Sequence, residues 1–329
     1  MFTKKLKELS KKDVPMAGGK GASLGEMTRA KIPVPPGFVV LASAFDKFLE
    51  ENNLIGKIAS QIKRINFKDI KSVEKISSLI RGLIYDAVMP KDLEKEILSE
   101  FSKLKTKYVA VRSSATAEDS SIASWAGELD TYLNTNKKTL IANIKKCWAS
   151  LFGTRALFYA FEKKMITPNY QKKIKDKTLK KLEEFYPVNV AVVIQKMVQS
   201  EVSGVCFTVH PVTKDRKQIV IEACYGLGEA IVGGRVSPDT YVIDKKEWKI
   251  LDKNISEQKT MIVKGGKGTK EVKVPPVKQR KQKLSDKQII TLAKICKRIE
   301  DHYNKPQDIE WAMEKGKFYI LQSRPITTL

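Results

Sequence analysis

The chain has 329 residues, of which 42% are hydrophobic and 30% charged, so it can form one large domain or two medium ones with real cores. No run of about 18 apolar residues occurs, and the lysine-rich N-terminus lacks the apolar stretch of a secretory signal, so we expect no membrane span. The four cysteines are scattered without C-x-x-C spacing, as expected for free thiols in the cytoplasm.

The formal net charge of +24 raises the question of nucleic-acid binding. The lysines, however, are spread along the whole chain, and no dense basic block is interleaved with aromatic residues. Lysine also outnumbers arginine, although arginine is the usual reader of base edges. We therefore expect a solvated lysine-rich surface rather than a nucleic-acid partner. An acidic partner or an anionic ligand is the alternative.

The first half of the chain is predicted to be mostly helical. Apolar periodicity indicates helices near Ala22–Ala30, Ser43–Asn52, Val73–Ala87, Lys91–Lys105 and Lys138–Lys163. Pro90 separates the third from the fourth, and a short strand is predicted at Tyr108–Arg112. A polar, lysine-rich segment ends at Pro187, and we place there the boundary between domains 1–187 and 188–329.

The second half is predicted to consist mostly of strands. The continuous valine-rich run Val188–Val198 is typical of a buried strand. Further strands are predicted at Gly204–Val209, Gln218–Ala223, Asp239–Ile243, Lys259–Val263 and Glu271–Val274. A capped helix near Ser285–Tyr303 and a hairpin over Asp308–Arg324 follow. Helices and mixed sheets in two unequal lobes predict an α+β fold with a cleft between the lobes.

Two common nucleotide-binding signatures are absent from the sequence. Gly19-Lys20 is followed by glycine, which excludes a P-loop, and Gly226-Leu227-Gly228 has Ile231 where a Rossmann motif needs its third glycine. A different glycine-rich loop, residues 18–25, opens a predicted helix. Glycines let backbone N–H groups approach a phosphate, and Lys20 adds a full positive charge. Because such loops are also plain turns, the pattern alone leaves both interpretations open.

Arg112 ends a short predicted strand and is followed by a run of small polar residues. A strand end is a rigid place from which an arginine can form a bidentate phosphate contact. The small residues suit a mobile cover loop, and Gly127 further on offers a second close approach of the backbone. A surface loop with a satisfied arginine is the structural alternative.

The last predicted hairpin carries the most specific chemistry. Asp308 and Glu310 are two residues apart on one strand, so their side chains share a face. A turn centred on Gly316 places Glu310 opposite Gln322 and Asp308 opposite Arg324. Two carboxylates and an amide oxygen are hard ligands suited to Mg²⁺, and the arginine is suited to a phosphate beside it.

The other face of this hairpin is predicted to be core, formed by Ile309, Trp311, Met313, Tyr319 and Leu321. A half-exposed hairpin with a cross-strand Asp–Arg ion pair is the structural alternative. A shift of one residue in the register would move the polar side chains apart.

Six pieces of sequence, taken in order, resemble the nucleotide-binding part of the phosphoenolpyruvate synthase family. They are GGKGASLGEM (18–27), VAVRSSATAED (109–119), AGELDT (126–131), GLGE (226–229), DIEWA (308–312) and ILQSRP (320–325). The second piece looks closer to the synthase and to rifamycin phosphotransferases than to pyruvate, phosphate dikinase. The resemblance covers nearly the whole chain and implies an ATP-grasp fold, in which two lobes hold ATP between them.

The resemblance assigns five nucleotide-binding residues in the first domain and at the start of the second. It implies that Lys20 and Arg112 bind phosphates and act in catalysis. Gly127 and Thr131 match the covering loop, and Gln195 matches the hinge strand beside the adenine.

In the last hairpin, the resemblance implies that Glu310 and Gln322 face Mg²⁺. Asp308 matches the flanking catalytic acid, and Arg324 matches a catalytic, phosphate-binding arginine. No position that can be matched departs from the family pattern.

The resemblance also implies a partner. In the family this domain is followed by a swivelling histidine domain with a Gly-Gly-x-Thr-x-His motif, and in the synthase by a barrel that binds pyruvate. Neither His210 nor His302 lies in such a motif, and the chain stops at Leu329. We therefore expect transfer of a pyrophosphoryl or phosphoryl group from Mg-ATP to a histidine on a separate protein, with release of AMP, in the conversion of pyruvate to phosphoenolpyruvate.

Two alternatives stay open at this stage. The same chemistry could serve another acceptor, such as a rifamycin-like antibiotic or a glucan, because every residue named above would be shared. A non-catalytic nucleotide-binding protein is the other alternative. It is disfavoured because the charged face of the predicted hairpin is complete.

Overall fold

The computed structural model describes residues 1–116, 119–120, 123–124, 129–166, 182, 186, 188–266 and 268–326. The chain divides into two compact units. Unit 1 comprises Met1–Gly25 and Pro36–Lys196, and unit 2 comprises Glu26–Pro35 and Met197–Leu329. Among the described helices, none combines the length and the apolar character needed to cross a membrane.

The first half of the chain is largely helical, as predicted, with short strands between some of the helices. The helices are α1 (Val14–Arg29), α2 (Ala42–Glu51), α3 (Ile55–Lys63), α4 (Ile70–Asp86), α5 (Lys91–Lys103), α6 (Leu140–Ser150) and α7 (Thr154–Glu162). Three of them, α2, α4 and α5, lie within three residues of their predicted bounds. The long helix predicted at 138–163 is instead two helices, because Gly153 adopts an extended conformation as the N-cap of α7. The short helix α3 was not predicted.

Unit 1 also contains a five-stranded sheet, of which the sequence predicted two strands, at Tyr108–Arg112 and Val188–Val198. The described strands of unit 1 are β1 (Thr3–Lys5), β2 (Gly37–Val40), β3 (Val109–Ala115), β4 (Asp119–Ser120), β5 (Ala123–Ser124), β6 (Thr131–Thr135) and β7 (Val190–Lys196). The sheet has the order β1-β2-β7-β3-β6, and β4 pairs only with β5. All neighbours in the sheet are antiparallel.

Strand β7 shows why the fold boundary differs from the one predicted at 187/188. This strand is the valine-rich run of the sequence, and it pairs with β2 on one side and β3 on the other. Its pairing partners therefore place it in unit 1, which ends at Lys196. The polar segment before it marks a change of composition but not the end of a sheet.

The helices of unit 1 bury one face of its sheet. Val111 and Val192 belong to this core together with a stacked aromatic group on α2 and α6. The ring centroids of Phe45 and Phe48 lie 5.2 and 5.0 Å from that of Trp148. The opposite face of the same sheet carries the residues discussed below.

Unit 2 is built on a six-stranded antiparallel sheet of order β11-β10-β9-β8-β14-β15. Its elements are β8 (Val202–Phe207), β9 (Gln218–Tyr225), α8 (Glu229–Val232), β10 (Asp239–Asp244), β11 (Ile250–Asn254), β12 (Thr260–Lys264), β13 (Thr269–Lys273), α9 (Pro276–Gln279), α10 (Asp286–Tyr303), β14 (Gln307–Glu314) and β15 (Lys317–Pro325). Strands β12 and β13 form a separate ribbon. With unit 1, these elements give the chain the predicted α+β class.

The long helix α10 begins as the sequence predicts. Ser285 is its N-cap, and the Ser285 hydroxyl accepts a hydrogen bond from the Gln288 N–H while the Gln288 side chain bonds back to the cap. The helix ends at Asn304, whose left-handed backbone has φ 52°. Its apolar side, including the fully buried Leu292 and Cys296, packs against the six-stranded sheet.

A buried ion pair ties the strands of unit 2 to the segment before α10. The side chains of Asp239 and Lys283 are both 0% exposed, and their Oδ1 and Nζ atoms are 2.7 Å apart. Asp239 also accepts hydrogen bonds from the Tyr241 hydroxyl at 2.7 Å and from the Ser256 N–H at 3.0 Å. A carboxylate without water needs this many donors, because burying a charge is costly unless it is paired and hydrogen-bonded.

We expect Lys283→Met to lower the free energy of unfolding by about 3–5 kcal/mol, because it leaves Asp239 buried without its countercharge. Denaturant unfolding followed by circular dichroism measures the change. Lys297→Met is the control, since Lys297 pairs with Asp301 on the exposed surface of α10 and should cost about 0–1 kcal/mol. Equal losses in the two variants would contradict the structural role of the buried pair.

Candidate nucleotide-binding site

The predicted glycine-rich loop is a kink inside α1. Gly18 has φ 68° and ψ 170°, so the helix stops there and starts again in a new direction. A Cβ atom at this position would lie 2.2 Å from the main-chain oxygen of Ser114 on β3. Only glycine allows both this backbone conformation and this close approach. The loop is therefore a fixed packing element of unit 1 rather than a plain surface turn.

A hydroxyl group from β3 holds the loop. The Ser114 Oγ donates to the carbonyl oxygen of Ala17 at 2.9 Å and accepts from the Gly21 N–H at 3.1 Å. The N–H groups in the first turn of a helix have no partner within the helix, so Ser114 satisfies one of them from outside. Lys20 lies between these contacts, in the first turn after the kink.

The face of the unit 1 sheet opposite the helical core carries three of the predicted binding residues. Arg112 lies directly opposite Thr131 on β6 and Val193 on β7. Gln195 follows two residues after Val193 on the same strand and therefore points to the same side. Val111, next to Arg112, points to the helical core instead. The structure thus brings Arg112, Thr131 and Gln195 onto one face, and Ser114 attaches to β3 the loop that contains Lys20.

Gln195 is buried with an unsatisfied donor. Its side chain is 2% exposed, and its Nε2 atom has no hydrogen-bond partner in the part of the chain that the structure describes. A buried donor without an acceptor carries a desolvation penalty of about 1–3 kcal/mol, which an acceptor on a ligand would remove. An unsatisfied buried donor of this kind is consistent with a ligand-binding position.

The structure describes only part of the predicted covering loop. Gly127 lies outside the described residues, whereas Thr131 is the first residue of β6. The residue just before it, Asp130, is fixed to β3, because its carbonyl oxygen accepts from the Ser113 N–H at 3.1 Å and from the Ser113 hydroxyl at 2.9 Å. These bonds fix the position of Thr131 relative to Arg112.

The hairpin of unit 2 has the predicted register at its polar end. Asp308 lies opposite Arg324, and Glu310 lies opposite Gln322. Their side chains therefore share one face of the six-stranded sheet, away from α10. The cross-strand Asp–Arg ion pair, which was the structural alternative for this hairpin, is also present. The Arg324 Nε and Nη2 atoms lie 2.8 and 2.6 Å from the Asp308 Oδ2 atom.

This register depends on a β-bulge that the sequence did not reveal. The turn is a two-residue one at Lys315-Gly316, both with positive φ, and Glu314 pairs with Lys317. Continued without interruption, such a turn would place Leu321 opposite Glu310 and bring Gln322 to the wrong face. The register instead shifts by one residue between Glu310 and Trp311. The bulge restores the polar alignment.

The same bulge makes part of the predicted core wrong. Ile309, Trp311 and Met313 on β14 are buried as predicted. On β15, however, the buried side chains belong to Phe318 and Ile320, and those of Tyr319 and Leu321 are only partly buried. The extra residue on β15 reverses the alternation between the turn and the polar end.

Sequence reasoning missed one acidic residue on this face. Glu222 on β9 lies opposite Val205 on β8, which in turn lies opposite Glu310, so the three side chains form one row across the sheet. Burial raises the pKa of the Glu222 carboxyl above its ordinary value, and the negative charge of Asp308 raises it further. The sequence feature that could have identified Glu222 is a single carboxylate within a mostly apolar strand.

The donor set on this face fits a magnesium ion. Glu310 supplies a carboxylate and Gln322 an amide oxygen as its cross-strand neighbour. Magnesium prefers oxygen ligands and is commonly held by one or two carboxylates together with phosphates and water. Among the described residues, no cluster of three or more His, Cys, Asp or Glu side chains forms a metal cage by itself. The pair suits a metal that phosphates also bind.

Comparison with known proteins identifies the family. Residues 14–329 match the family model of the pyruvate phosphate dikinase AMP/ATP-binding domain. The chain belongs to this family. Its glycine-rich loop, its Arg112 strand and its polar hairpin therefore lie in a domain defined by adenine-nucleotide binding, and the resemblance to the phosphoenolpyruvate synthases is confirmed.

Individual relatives support the same conclusion. A probable phosphoenolpyruvate synthase of Methanocaldococcus jannaschii is 47% identical over 332 residues, which covers 98% of this chain and 26% of the relative. The corresponding protein of Archaeoglobus fulgidus is 46% identical, covering 98% and 41%. A rifampicin phosphotransferase of Bacillus subtilis is 38% identical, covering 98% and 36%. This dikinase-family chain thus spans less than half the length of these relatives.

We expect Glu222→Gln to stabilise the protein at pH 7. Because the native state raises the pKa of Glu222, it holds a proton that the unfolded chain releases above its ordinary pKa of 4.5, so the wild-type free energy of unfolding falls as pH rises through that window. The neutral amide removes this loss. Thermal unfolding should show a Tm higher by about 1–3 °C at pH 7.

The advantage of this variant should vanish at about pH 4, where the carboxyl is protonated in both states. Glu247→Gln, in the exposed turn after β10, is the control and should behave as the wild type at both pH values. An advantage of Glu222→Gln that is the same at both pH values would contradict the electrostatic explanation.

Proposed function

We propose that this chain binds Mg-ATP and carries out the ATP-using step of a phosphoenolpyruvate synthase-type dikinase. The observation that carries the proposal is the register of the polar hairpin within a member of an adenine-nucleotide-binding family. Glu310 with Gln322, and Asp308 with Arg324, are two cross-strand pairs on one face. A hairpin whose role was only structural would not need four polar side chains aligned by a bulge.

In unit 1, we assign the phosphates to Lys20 and Arg112. The ammonium and guanidinium groups supply positive charge, and the first turn of the helix after Gly18 adds N–H groups and a favourable dipole. Thr131, opposite Arg112, would contribute a hydroxyl, and Gln195 would offer its unpaired amide donor to the adenine. We also propose that the covering loop approaches the nucleotide closely with its backbone at Gly127.

In unit 2, we assign magnesium to Glu310 and Gln322. When bound, the metal would neutralise phosphate charge that develops during transfer. Arg324 would hold a phosphate oxygen, and its ion pair with Asp308 fixes the guanidinium at the strand end. Asp308 is thus proposed to position the arginine and to flank the metal. The arginine side chain is 43% exposed, so one face of it is open to a ligand.

We propose that the group transferred is pyrophosphoryl or phosphoryl, and that the acceptor is a histidine on a separate protein. Transfer requires an attacking nitrogen in line with the phosphorus, and AMP leaves when a pyrophosphoryl group moves. Each histidine of this chain has one ring nitrogen engaged within the chain, and neither lies in a Gly-Gly-x-Thr-x-His motif. The His302 Nε2 atom is 2.9 Å from a Glu26 carboxylate oxygen, and the His210 Nδ1 atom accepts from the Val212 and Thr213 N–H groups.

The proposed partner carries the histidine domain and the pyruvate-binding domain, and the overall reaction converts pyruvate to phosphoenolpyruvate. The names of the relatives support this assignment. We place the reaction in the cytoplasm, which agrees with four cysteines that are buried and unpaired. A rifampicin-like acceptor is the second candidate, and it is favoured by the 38% identity to the phosphotransferase of Bacillus subtilis.

We expect ATP binding to depend on magnesium through Glu310. Isothermal titration calorimetry should give an ATP affinity that falls at least about tenfold when EDTA is added, and Glu310→Gln should lower the Mg-ATP affinity to a similar extent, because each change removes a charged interaction worth about 1.5–3 kcal/mol. Glu314→Gln, four residues along the same strand, is the control and should bind as the wild type. Equal ATP affinity with and without EDTA would exclude the magnesium assignment.

We expect the chain to need an acceptor for turnover. ATP labelled at the β-phosphate is incubated with the chain alone, with a histidine-domain protein, or with rifampicin. Label should move to the histidine-domain protein, and AMP should accumulate only in that mixture. Arg324→Ala should slow the transfer by at least about tenfold because a charge-assisted phosphate contact is lost.

Three other results of that experiment are informative. Transfer to rifampicin would select the second candidate. Stable label on His210 or His302 in the chain alone would refute an acceptor in trans. An Arg324→Ala variant that unfolds, but whose folded fraction transfers normally, would show that the arginine is structural.

A further inference from the structure

Ser114 lies on the same face of the unit 1 sheet as Arg112, and its hydrogen bonds to the glycine-rich loop bear on the proposed nucleotide site. It lies two residues after Arg112 on β3, so both side chains point to the same side. Its side chain is 0% exposed. A serine hydroxyl in such a position must find partners within the protein.

Both partners of the hydroxyl belong to the glycine-rich loop. Ser114 Oγ donates to the Ala17 carbonyl oxygen on one side of the kink and accepts from the Gly21 N–H on the other. The two partners lie four residues apart in the chain and enclose Gly18 and Lys20. One hydroxyl group thus closes the loop and attaches it to the strand that carries Arg112.

The packing leaves little room for another arrangement. A Cβ atom at Gly18 would lie 2.3 Å from Ser114 Oγ and 2.2 Å from its main-chain oxygen, so loop and strand are in direct contact. The helix after Gly18 has no capping side chain in its own sequence at this point, since Gly18 and Gly19 have none. The direction in which this helix starts, and with it the position of Lys20, is therefore fixed by a residue about 90 positions away.

We propose that Ser114 is a positioning residue of the nucleotide site, which holds the glycine-rich loop and Lys20 at a fixed place relative to Arg112. This inference rests on the proposed function, in which Lys20 and Arg112 bind phosphates of ATP. Ser114 itself touches the loop and not the nucleotide. Its effect on binding must therefore pass through Lys20 and the N–H groups of the loop, and it concerns the phosphates rather than the base.

A purely structural role is the competing explanation, and the chain offers a matched control for it. Ser77 on α4 is also buried, at 2% exposed, and its hydroxyl donates to the Phe152 carbonyl oxygen at 2.7 Å. This bond lies in the helical core of unit 1 and does not involve the glycine-rich loop. Ser77→Ala removes a comparable buried hydrogen bond, so it reports the loss of stability alone.

The first measurement compares ligands with and without phosphates. Calorimetry with Mg-ATP should show an affinity about tenfold lower in Ser114→Ala than in the wild type, which corresponds to the loss of about one or two hydrogen bonds. The affinity for adenosine should change less than about twofold. Ser77→Ala should leave both affinities unchanged, although both variants lower the Tm.

The second measurement is a double-mutant cycle with Lys20→Ala. If Ser114 acts through Lys20, then Ser114→Ala should weaken Mg-ATP binding by less than about threefold in the Lys20→Ala background, whereas it weakens the wild type about tenfold. The Tm changes of the two substitutions should remain additive. Should Ser114→Ala fail to fold, Ser114→Cys replaces it, since a thiol is a weak hydrogen-bonding group and should give the same selective loss.

The outcomes separate this inference from the proposed function. Equal losses for Mg-ATP and adenosine, or fully additive losses in the cycle, would show that Ser114 is only structural. A wild-type chain that binds Mg-ATP while Ser114→Ala binds it equally well would overturn this inference and leave the proposed function intact. A wild-type chain that binds no ATP would overturn the proposed function and this inference with it.

Discussion

The antiparallel register of the strands is the constraint on which the candidate site depends. In both units helices bury one face of a sheet, so alternation along a strand decides whether a side chain faces those helices or the opposite side. Arg112 and Thr131 share the opposite side in unit 1, and Glu310 and Gln322 share it in unit 2. A slip of one residue in either sheet would turn these polar side chains toward the helical core.

Two polar groups on the candidate binding faces carry a local energetic cost. Gln195 keeps an unsatisfied buried donor, and Glu222 holds a carboxyl whose pKa is raised by burial and by Asp308. The buried pair of Asp239 and Lys283 shows the contrasting arrangement, in which a charge of the scaffold is fully paired. Groups left partly unsatisfied on one face of an otherwise well-packed sheet are typical of a binding site.

The sequence predicted the polar pairs of the last hairpin better than it predicted the sheet of unit 1. The hairpin pairs and the class of the fold were confirmed, and several helices lay close to their predicted bounds. In the sheet of unit 1, the sequence predicted β3 and β7 but missed β1 and β2, because these are only three and four residues long and show little alternation. The family pattern located Lys20 and Gln195, whereas no local pattern indicated that they belong to the same unit.

By itself, the sequence determined the chemistry, because residue types and their order along the chain specify charge, ligand type and family. Tertiary structure decided the register and the long-range contacts. The bulge between Glu310 and Trp311 corrects a turn that would otherwise misalign the hairpin, and Ser114 supplies the cap that the glycine-rich loop lacks. Both are contacts between residues that are distant along the chain or on separate strands, and their energies depend on packing that no local pattern encodes.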